Sequence, residues 1–225
     1  MLCPSGVAIW PTKQTLIVAD LHFEKGSASA VRGNLLPPYD TRETLSRLAS
    51  AIRRHAPQRI IVLGDTLHDD RAMARMASAD LIMLKRLFAP LRILWIAGNH
   101  DPSPQPELPG ECVTEWREGQ LLFRHIGCIA PLARHEAEFS GHYHPKATLP
   151  TRIGGITRRC FLATNQHLVL PAFGAFTGGL DVQDPAMSAL TRRAQRVFLL
   201  GRDRLHSASF GALRQAFSAT GSPAR

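Results

Sequence analysis

The residues able to do chemistry in this sequence follow short apolar runs. The clearest case is Gly98-Asn99-His100-Asp101, which comes directly after the apolar run Leu91 to Ala97. Neutral Asn is an uncommon metal ligand, and its place directly before His predicts that the two divide the work. Asn99 would hold a metal ion, while His100 would face the substrate and move a proton. The alternative is a polar turn in which Gly98 and Asn99 serve only the turn geometry.

Further carboxylates and imidazoles also follow predicted strands. Together with Asn99 they form a group of possible metal ligands without a thiolate, and such a group suits Mn²⁺, Fe or Zn²⁺. Two His at i and i+2 point to opposite sides of an extended segment, so His142 and His144 would serve two neighbouring ions. Asp65 ends a central strand and could bridge both ions. We therefore predict one ion held by Asp20, His22, Asp65 and His144, and a second held by Asp65, Asn99, His125 and His142.

The elements that must position these residues alternate between strand and helix in the first half of the chain. Apolar patterns predict strands at Val7–Trp10, Thr15–Ala19, Ile60–Leu63 and Leu91–Ala97. Helices are predicted from Asp40, as an N-cap with Glu43 at the capping-box position, to the break at Pro57, and from about Ala72 to Phe88. This order predicts right-handed crossovers and a parallel sheet, whose ligands bind at the C-terminal ends of the strands. Gly26 to Pro38 is predicted to be a functional loop.

The second half of the chain contains short β-type runs and little that indicates a long helix. They predict a second, largely antiparallel sheet packed on the first within a single domain of residues 1–217, followed by a frayed tail at 218–225. Gly174 to Gly179 is predicted to be a flexible loop between strands and does not qualify as a nucleotide fingerprint. The runs are Cys112–Trp116, Gln120–His125, Glu138–Ser140, Ile156–Ala163, His167–Leu170, Arg196–Leu200 and Leu205–Ser209.

The composition is that of an ordinary globular protein with a basic surface. The 225 residues are 44% hydrophobic, and the net charge of +9 comes mainly from Arg, because only four of the 27 basic residues are Lys. Arg suits phosphate oxygens, so a polyanionic partner is expected, although an Arg bias can also reflect genome composition. Four widely spaced Cys and the absence of a leader or an apolar membrane span predict a soluble, cytoplasmic protein in a reduced compartment.

The ordered motifs resemble those of the calcineurin-like metallophosphoesterases, which are D-x-H, G-D, G-N-H-D/E, an isolated His and G-H-x-H. Here they are Asp20-Leu21-His22, Gly64-Asp65, Gly98 to Asp101, His125 and Gly141 to His144. The resemblance implies a four-layer α/β/β/α sandwich of two mixed sheets and two divalent metal ions, most often Mn²⁺, with Fe or Zn²⁺ possible. His125 stands where the isolated His is expected, but His135 is an alternative.

A narrower resemblance extends over nearly the whole chain. The segments ADLHFEKG, LLPPYDTRETL, GDTLHDD, IAGNHDP, GHYHP, RRCF, LPAFGAFTGGLDV and LLGRDRL are similar to the bacterial ligase-associated DNA damage response endonuclease family, PdeM. This implies a phosphodiesterase that cuts DNA in DNA repair, beside an ATP-dependent DNA ligase, an Lhr-type helicase and an exonuclease. No membrane partner is expected.

Several side chains are candidates for work beside the metal ions. His100 would protonate the leaving alkoxide, and Asp101 would orient its ring. His68 and Asp69 would touch the substrate or hold metal ligands, or else belong to a plain turn. A track for the nucleic-acid backbone, or alternatively a solvated strand edge, is predicted at Arg152, Arg158 and Arg159, whereas Arg192, Arg193 and Arg196 are expected to be surface charges.

Two other functions fit the same residues. The first is a small-molecule phosphoesterase of the same superfamily, acting on a nucleotide or a lipid-sugar pyrophosphate, which would have a closed pocket instead of an open basic groove. The second is a scaffold without catalytic activity. Scaffolds tend to lose the catalytic imidazole, whereas this chain keeps His100.

Overall fold

The first sheet of the protein, seen in a computed structural model that describes residues 1–34, 36–103, 105–128, 132–151 and 154–213, has five strands. They lie in the order of the chain: β1 (Ala8–Trp10), β2 (Thr15–Ala19), β3 (Arg59–Leu63), β4 (Arg92–Ile96) and β5 (Glu111–Val113). β1 pairs antiparallel with β2, and β2 to β5 are parallel. The four strands predicted in the first half of the chain and their parallel sheet are confirmed, and the carboxyl ends of β2, β3 and β4 meet at one edge.

The helices cover one face of this sheet and differ from the prediction in three places. They are α1 (Lys25–Val31), α2 (Asp40–His55), α3 (Ala72–Arg75) and α4 (Ser78–Phe88). The segment 26–38, predicted to be a loop, begins with the helical residues of α1. The single helix predicted over 72–88 is two helices, because Met76 is extended, with a ψ of 128°.

The predicted capping box at Asp40 is also wrong. Asp40 is already helical, and its carboxylate accepts a hydrogen bond from Gly26 N (3.0 Å) instead of capping its own helix. Asp40 therefore ties the first turn of α1 to α2. This contact between helices stabilises a short helix whose sequence has weak helical propensity.

The second sheet has eight strands, and most of their pairs are antiparallel. They are β6 (Glu115–Glu118), β7 (Leu121–Arg124), β8 (Ala137–Ser140), β9 (Lys146–Thr151), β10 (Gly154–Ala163), β11 (His167–Val169), β12 (Arg196–Leu200) and β13 (Leu205–Ser209). The order is β13-β12-β10-β11-β8-β7-β6, with β9 on β10, and β8 is parallel to both neighbours. The run Cys112–Trp116, predicted as one strand of this sheet, is divided between β5 of the first sheet and β6 of the second. β9 was not predicted.

Apolar side chains alternate between layers along the strands. In β2, Ile17 and Ala19 pack between the two sheets with residues such as Phe123 and Phe161, whereas Leu16 and Val18 pack under the helices. The outer face of the second sheet packs against the segment 182–191, which contains a short helix, α5 (Ser188–Thr191). The predicted four-layer sandwich of two mixed sheets is confirmed.

Within the described ranges, no helix is long and apolar enough to cross a membrane. Gly174–Gly179 lies in the connection between β11 and β12 and has no regular secondary structure. A backbone hydrogen bond from Gly174 N to Asp20 O (3.0 Å) attaches its first residue to the end of β2. The predicted tail at 218–225 lies outside the described residues. The single domain of residues 1–217 stays a prediction.

Candidate metal centre

The seven predicted metal ligands meet at one edge of the two-sheet core. Three strands of the first sheet deliver Asp20, Asp65 and Asn99 just past their ends, because parallel strands finish at the same edge. β7 of the second sheet ends directly before His125, and β8 ends just before the G-H-Y-H segment. Residues separated by more than 120 positions are thereby brought together.

The first predicted group of ligands has its donor atoms within reach of one ion. His22 Nε2 lies 3.3 Å from His144 Nε2 and 3.6 Å from Asp65 Oδ2. His144 Nε2 lies 3.6 Å from Asp20 Oδ1, and one donor atom from each of the four residues lies within 4.8 Å of the others. Asp20 and His22 are buried, so this group is enclosed on the protein side.

The second group shares Asp65 and surrounds the imidazole of His125. Nε2 of His125 lies 2.9 Å from Asn99 Oδ1, 3.2 Å from His142 Nδ1 and 3.4 Å from Asp65 Oδ1. The alternative residue, His135, is exposed in the turn before β8. The structure thus places His125, and not His135, beside the other predicted ligands.

Glycines directly before the ligands permit this close packing. A Cβ at Gly98 would lie 2.2 Å from both the backbone N and Oδ1 of Asp65. A Cβ at Gly64 would lie 2.2 Å from Nδ1 of His125, and Gly64 also has a positive φ of 73°. Any larger residue at either position would push a predicted ligand out of place.

The backbone is strained at five of the seven predicted metal ligands. Non-glycine residues rarely adopt a positive φ, which costs about 1–3 kcal/mol each and persists only where the surroundings determine the conformation. Such outliers concentrate at functional sites. Here positive φ values between 44° and 71° occur at Asp20, His22, Asp65, His142 and His144.

The protonation states suit a cation. Burial and neighbouring imidazoles lower the pKa of His22 to about 2, and burial beside His125 lowers the pKa of His142. Burial alone would raise the pKa of Asp65, but the hydrogen bond and charge of His125 and the N–H of His100 lower it. Two neutral imidazoles and an ionised carboxylate are the forms that bind metals.

The hydrogen bond of His125 strengthens this conclusion. Its Nδ1 donates to the carbonyl of Leu63 (3.1 Å), so a neutral ring turns the lone pair of Nε2 toward the acceptors Asn99 Oδ1 and Asp65 Oδ1. Burial lowers the pKa of His125, but Asp65 and Asp20 more than offset this and raise it. A cluster of acceptors around one point needs a proton or a cation, so these residues fit a divalent ion.

His100 lies beside the Asp65 carboxylate that both groups share, and the residue that orients its ring is not the predicted one. Its Nδ1 donates to the backbone carbonyl of His68 (2.7 Å), which leaves Nε2 facing the site, 4.0 Å from Asp65 Oδ2. The prediction that Asp101 orients this ring is wrong, because Oδ2 of Asp101 accepts a hydrogen bond from Leu67 N (3.0 Å) instead. Burial raises the pKa of Asp101 to about 6. Asp101 therefore shapes the 66–67 backbone next to Asp65 instead of holding the ring.

His68 lies beside the metal centre, whereas Asp69 is engaged elsewhere. The His68 ring stacks on His100, with centroids 5.0 Å apart, and its Nδ1 lies 3.4 Å from Nδ1 of His22. Burial and the charge of His100 lower its pKa to about 4. Asp69 accepts two hydrogen bonds from Arg75 (2.8 and 2.9 Å) and thereby fixes α3.

Of the three arginines predicted to form a track, the structure describes two, and these two have different surroundings. Arg152 lies outside the described residues. Arg158 is exposed on β10, whereas Arg159 donates to the carbonyls of Ala172 (2.8 Å), Phe173 (3.3 Å) and Gly174 (3.4 Å). Burial lowers the pKa of Arg159 to about 10. Arg159 thus holds the segment that follows β11, and its substrate contact stays a prediction. The predicted surface charges include Arg192, Arg193 and Arg196, of which Arg192 and Arg193 line a cleft with His167.

Three contributions to the site were missed. Two are backbone carbonyls, of Leu63 and His68, which select the tautomers of His125 and His100. No residue type indicates them, because every residue carries a carbonyl. The third is Lys25, whose charge lowers the pKa of His22 and His68. Its position, three residues after His22 in the same motif, was the available signal.

Known proteins match this chain in family and in structure. The model of the family described as calcineurin-like phosphoesterase matches residues 13–169. The crystal structure of the nuclease MPE from Pseudomonas putida is 31% identical, with a TM-score of 0.70, and covers 91% of this chain and 94% of that one. The phosphoesterase Yfce from E. coli is 12% identical over 87% of this chain and 98% of that one, with a TM-score of 0.44. No functionally curated protein matches the sequence.

Proposed function

Because this chain belongs to the calcineurin-like phosphoesterase family, we propose that it is a two-metal phosphodiesterase that cuts DNA as an endonuclease. Family and fold support a hydrolase that acts on phosphoesters. The observation that carries the proposal is the pair of donor groups that share Asp65, with the imidazole of His100 beside them. This arrangement suits a phosphodiester held between two ions.

Divalent ions held by these two groups of residues would supply Lewis acidity for water and for the phosphoryl group. The protein does the rest. His100 presents Nε2 to the site while its Nδ1 is committed to the His68 carbonyl, so Nε2 is the atom that delivers a proton to the leaving oxygen. Its side chain is 39% exposed and therefore accessible to a substrate. The buried ligands Asp20, His22 and His125 keep the opposite side closed.

Support for DNA as the substrate comes from outside the donor groups. The net charge of +9 favours a polyanion, and the Pseudomonas putida protein, 31% identical over 91% of this chain, is a nuclease. The narrower resemblance to ligase-associated endonucleases leads us to propose a role in DNA repair, with an ATP-dependent ligase, an Lhr-type helicase and an exonuclease as partners. We propose Mn²⁺ as the metal, because the resemblance implies it and the carboxylate and amide oxygens suit it. We propose the cytoplasm as the compartment.

Turnover assays separate this function from the two alternatives. The purified, Mn²⁺-loaded protein is offered plasmid and single-stranded DNA on one side, and cyclic nucleotides and UDP-sugars on the other. The proposal predicts cleavage within DNA chains and loss of that cleavage in His100→Ala. Preference for the small molecules would favour a small-molecule phosphoesterase. Inactivity of the metal-loaded protein on every phosphodiester would favour a scaffold.

A further inference from the structure

A basic cleft lies outside the two groups of metal ligands. It has a volume of about 670 Å³ and is lined by the segment 1–5, by one side of α2 and by residues of β10 and β12. None of the seven predicted metal ligands belongs to its lining. Sites for small organic molecules typically have volumes of about 300–1,000 Å³. The cleft is therefore large enough for an organic ligand and is separate from the metal centre.

Four guanidinium groups line this cleft, and no carboxylate of a described residue does. They belong to Arg47 and Arg54 on α2 and to Arg158 and Arg159 on β10. None of the four forms a salt bridge with another described residue. A concave surface that carries positive charge without counter-ions attracts anions.

Two of these arginines, Arg47 and Arg159, are half-buried, which makes the lack of a carboxylate partner unfavourable. Burial lowers the pKa of Arg47 and, together with the charge of Arg47, lowers the pKa of Arg159 to about 10. Glu43, one turn earlier on α2, offsets only part of the effect at Arg47. A buried charge usually has a partner of opposite sign. An anion bound between the two guanidinium groups would supply that partner to both.

Both side chains keep donors available for such an anion. Arg47 lies over the ring of Phe173, 4.7 Å from its centroid, and its guanidinium donates no hydrogen bond to a described residue. The three hydrogen bonds of Arg159 all come from Nη1, so its Nε and Nη2 have no acceptor within the described ranges. A guanidinium held in place in this way presents paired donors that match phosphate oxygens.

The rest of the lining determines what else the ligand carries. Apolar residues, among them Pro4, Ala51 and Leu200, line the cleft together with the arginines. A lone phosphate ion would leave this apolar part of the cleft unfilled. The lining therefore fits a phosphate that is attached to a larger group with apolar surface, as in a nucleotide.

The cysteine and the histidine of the cleft favour binding over a second reaction. Cys3 Sγ lies 3.6 Å from His55 Nε2. Burial raises the pKa of the Cys3 thiol and lowers the pKa of His55, so both side chains are neutral near pH 7. The thiolate, and not the thiol, is the nucleophilic form of cysteine.

We propose that this cleft binds a nucleotide by its terminal phosphate, with Arg47 and Arg159 on the phosphate oxygens and the apolar side against the base and sugar. A phosphate monoester carries nearly two negative charges at pH 7, whereas a phosphodiester carries one, so two guanidinium groups match the monoester better. A free nucleotide and the phosphorylated end of a nucleic-acid strand share this chemistry. The inference does not depend on the proposed nuclease function, because the cleft contains no predicted metal ligand.

The test measures binding without turnover. Titration calorimetry of the full chain in EDTA compares adenosine 5′-monophosphate (AMP) with adenosine, with inorganic phosphate, and with a short oligonucleotide that carries either a 5′-phosphate or a 5′-hydroxyl. We expect AMP to bind about 10-fold more tightly than adenosine or better, because hydrogen bonds to a charged group contribute at least that much. Inorganic phosphate should bind more weakly than AMP because it leaves the apolar lining unfilled.

The two oligonucleotides distinguish the two sources of the phosphate. Tighter binding of the 5′-phosphorylated strand than of the 5′-hydroxyl strand would identify a strand end as a ligand. Equal affinity for the two strands, beside tight binding of AMP, would identify a free nucleotide. Adenosine that binds as tightly as AMP, or binding of neither AMP nor the phosphorylated strand, would overturn the proposal.

Three variants locate the binding. Arg47→Met should weaken AMP binding by about 10-fold or more, and the Tm of the ligand-free protein should stay unchanged or rise, because a half-buried charge without a partner is removed. Arg54→Met, at an exposed position that does not depend on packing, should weaken it by about 2- to 5-fold.

Arg86→Met is the matched control, because it removes the same charge from an exposed position on α4 outside the cleft. It should bind AMP as the wild type does. Wild-type affinity in both cleft variants would overturn the site. Equal weakening in Arg86→Met and Arg47→Met would also overturn it, because binding would then follow net charge alone.

Discussion

One added methyl group at Gly98 should dislodge the carboxylate that both donor groups share. The Cβ of Gly98→Ala would lie 2.2 Å from the backbone N and Oδ1 of Asp65, and 2.7 Å from Oδ1 of Asp101. Ordinary contacts of a Cβ begin at 3.4 Å, so Asp65 must move by about 1.2 Å. Metal–ligand distances tolerate only about 0.2 Å. The variant should therefore lose the shared ligand without losing any side chain.

The magnitude follows from overpacking and from ligand loss. Forcing a methyl group into a packed site costs about 1–3 kcal/mol, and each kcal/mol lowers the Tm of a chain of this size by about 2–4 °C. The Tm of the metal-free variant should therefore fall by about 2–12 °C. Titration calorimetry with Mn²⁺ should show affinity reduced by about 10- to 100-fold, as for changes in residues that orient metal ligands.

Gly178→Ala is the matched control. A Cβ at Gly178 meets no atom within 4 Å, and its backbone is not left-handed. It should retain the Tm and the Mn²⁺ affinity of the wild type. The reasoning would be refuted by a Gly98→Ala protein that binds two ions with wild-type affinity, since Asp65 would then not be confined as the structure indicates.

Three further perturbations address other parts of the site. His100→Ala should slow the cleavage of an oligonucleotide, a poor leaving group, by about 10²–10⁴-fold while affecting bis(p-nitrophenyl) phosphate far less; steady-state kinetics would contradict the proton-donor role if both rates fell equally. Removing metal with EDTA should lower the Tm by about 5–11 °C for each ion released, relative to Mn²⁺ at about 100 times its Kd. Scanning calorimetry that gives the same Tm in both conditions would argue against binding to the folded state. Arg159→Met should lower the free energy of unfolding, measured in urea, by about 1.5–3 kcal/mol, because it leaves three carbonyls without their charged donor. The control Arg158→Met, at an exposed position, should leave this free energy unchanged. Equal stability of the two variants would show that Arg159 does not hold the 172–174 segment.

The sequence alone predicted those features of the fold and the site that depend on residue type. Apolar runs such as Leu16–Ala19 predict buried strands, and the polar residue after each run marks the edge where ligands meet. The place of Asp65 after a central strand also indicated its position, which the structure puts in both groups of donor atoms. These features depend on periodicity and on the donor chemistry of side chains, both of which a sequence displays.

The sequence failed where tertiary contacts or backbone atoms decide the outcome. Helix α1 begins at a glycine-containing segment, and it forms because Asp40 accepts from Gly26 N and because Thr41 and Glu24 bond to each other. Asp101 is the residue predicted to orient the ring of His100, yet the carbonyl of His68 is the actual partner. Such choices depend on the position of the backbone, which residue types do not encode locally.

We propose that two divalent ions share Asp65 in the folded protein. A crystal structure of the Mn²⁺-soaked protein, with anomalous diffraction collected at the Mn edge, tests it most directly. We expect two anomalous peaks, one beside Asp20, His22 and His144 and the other beside Asn99, His125 and His142, with the Asp65 carboxylate between them. A single peak, or peaks that leave Asp65 unbound, would contradict it.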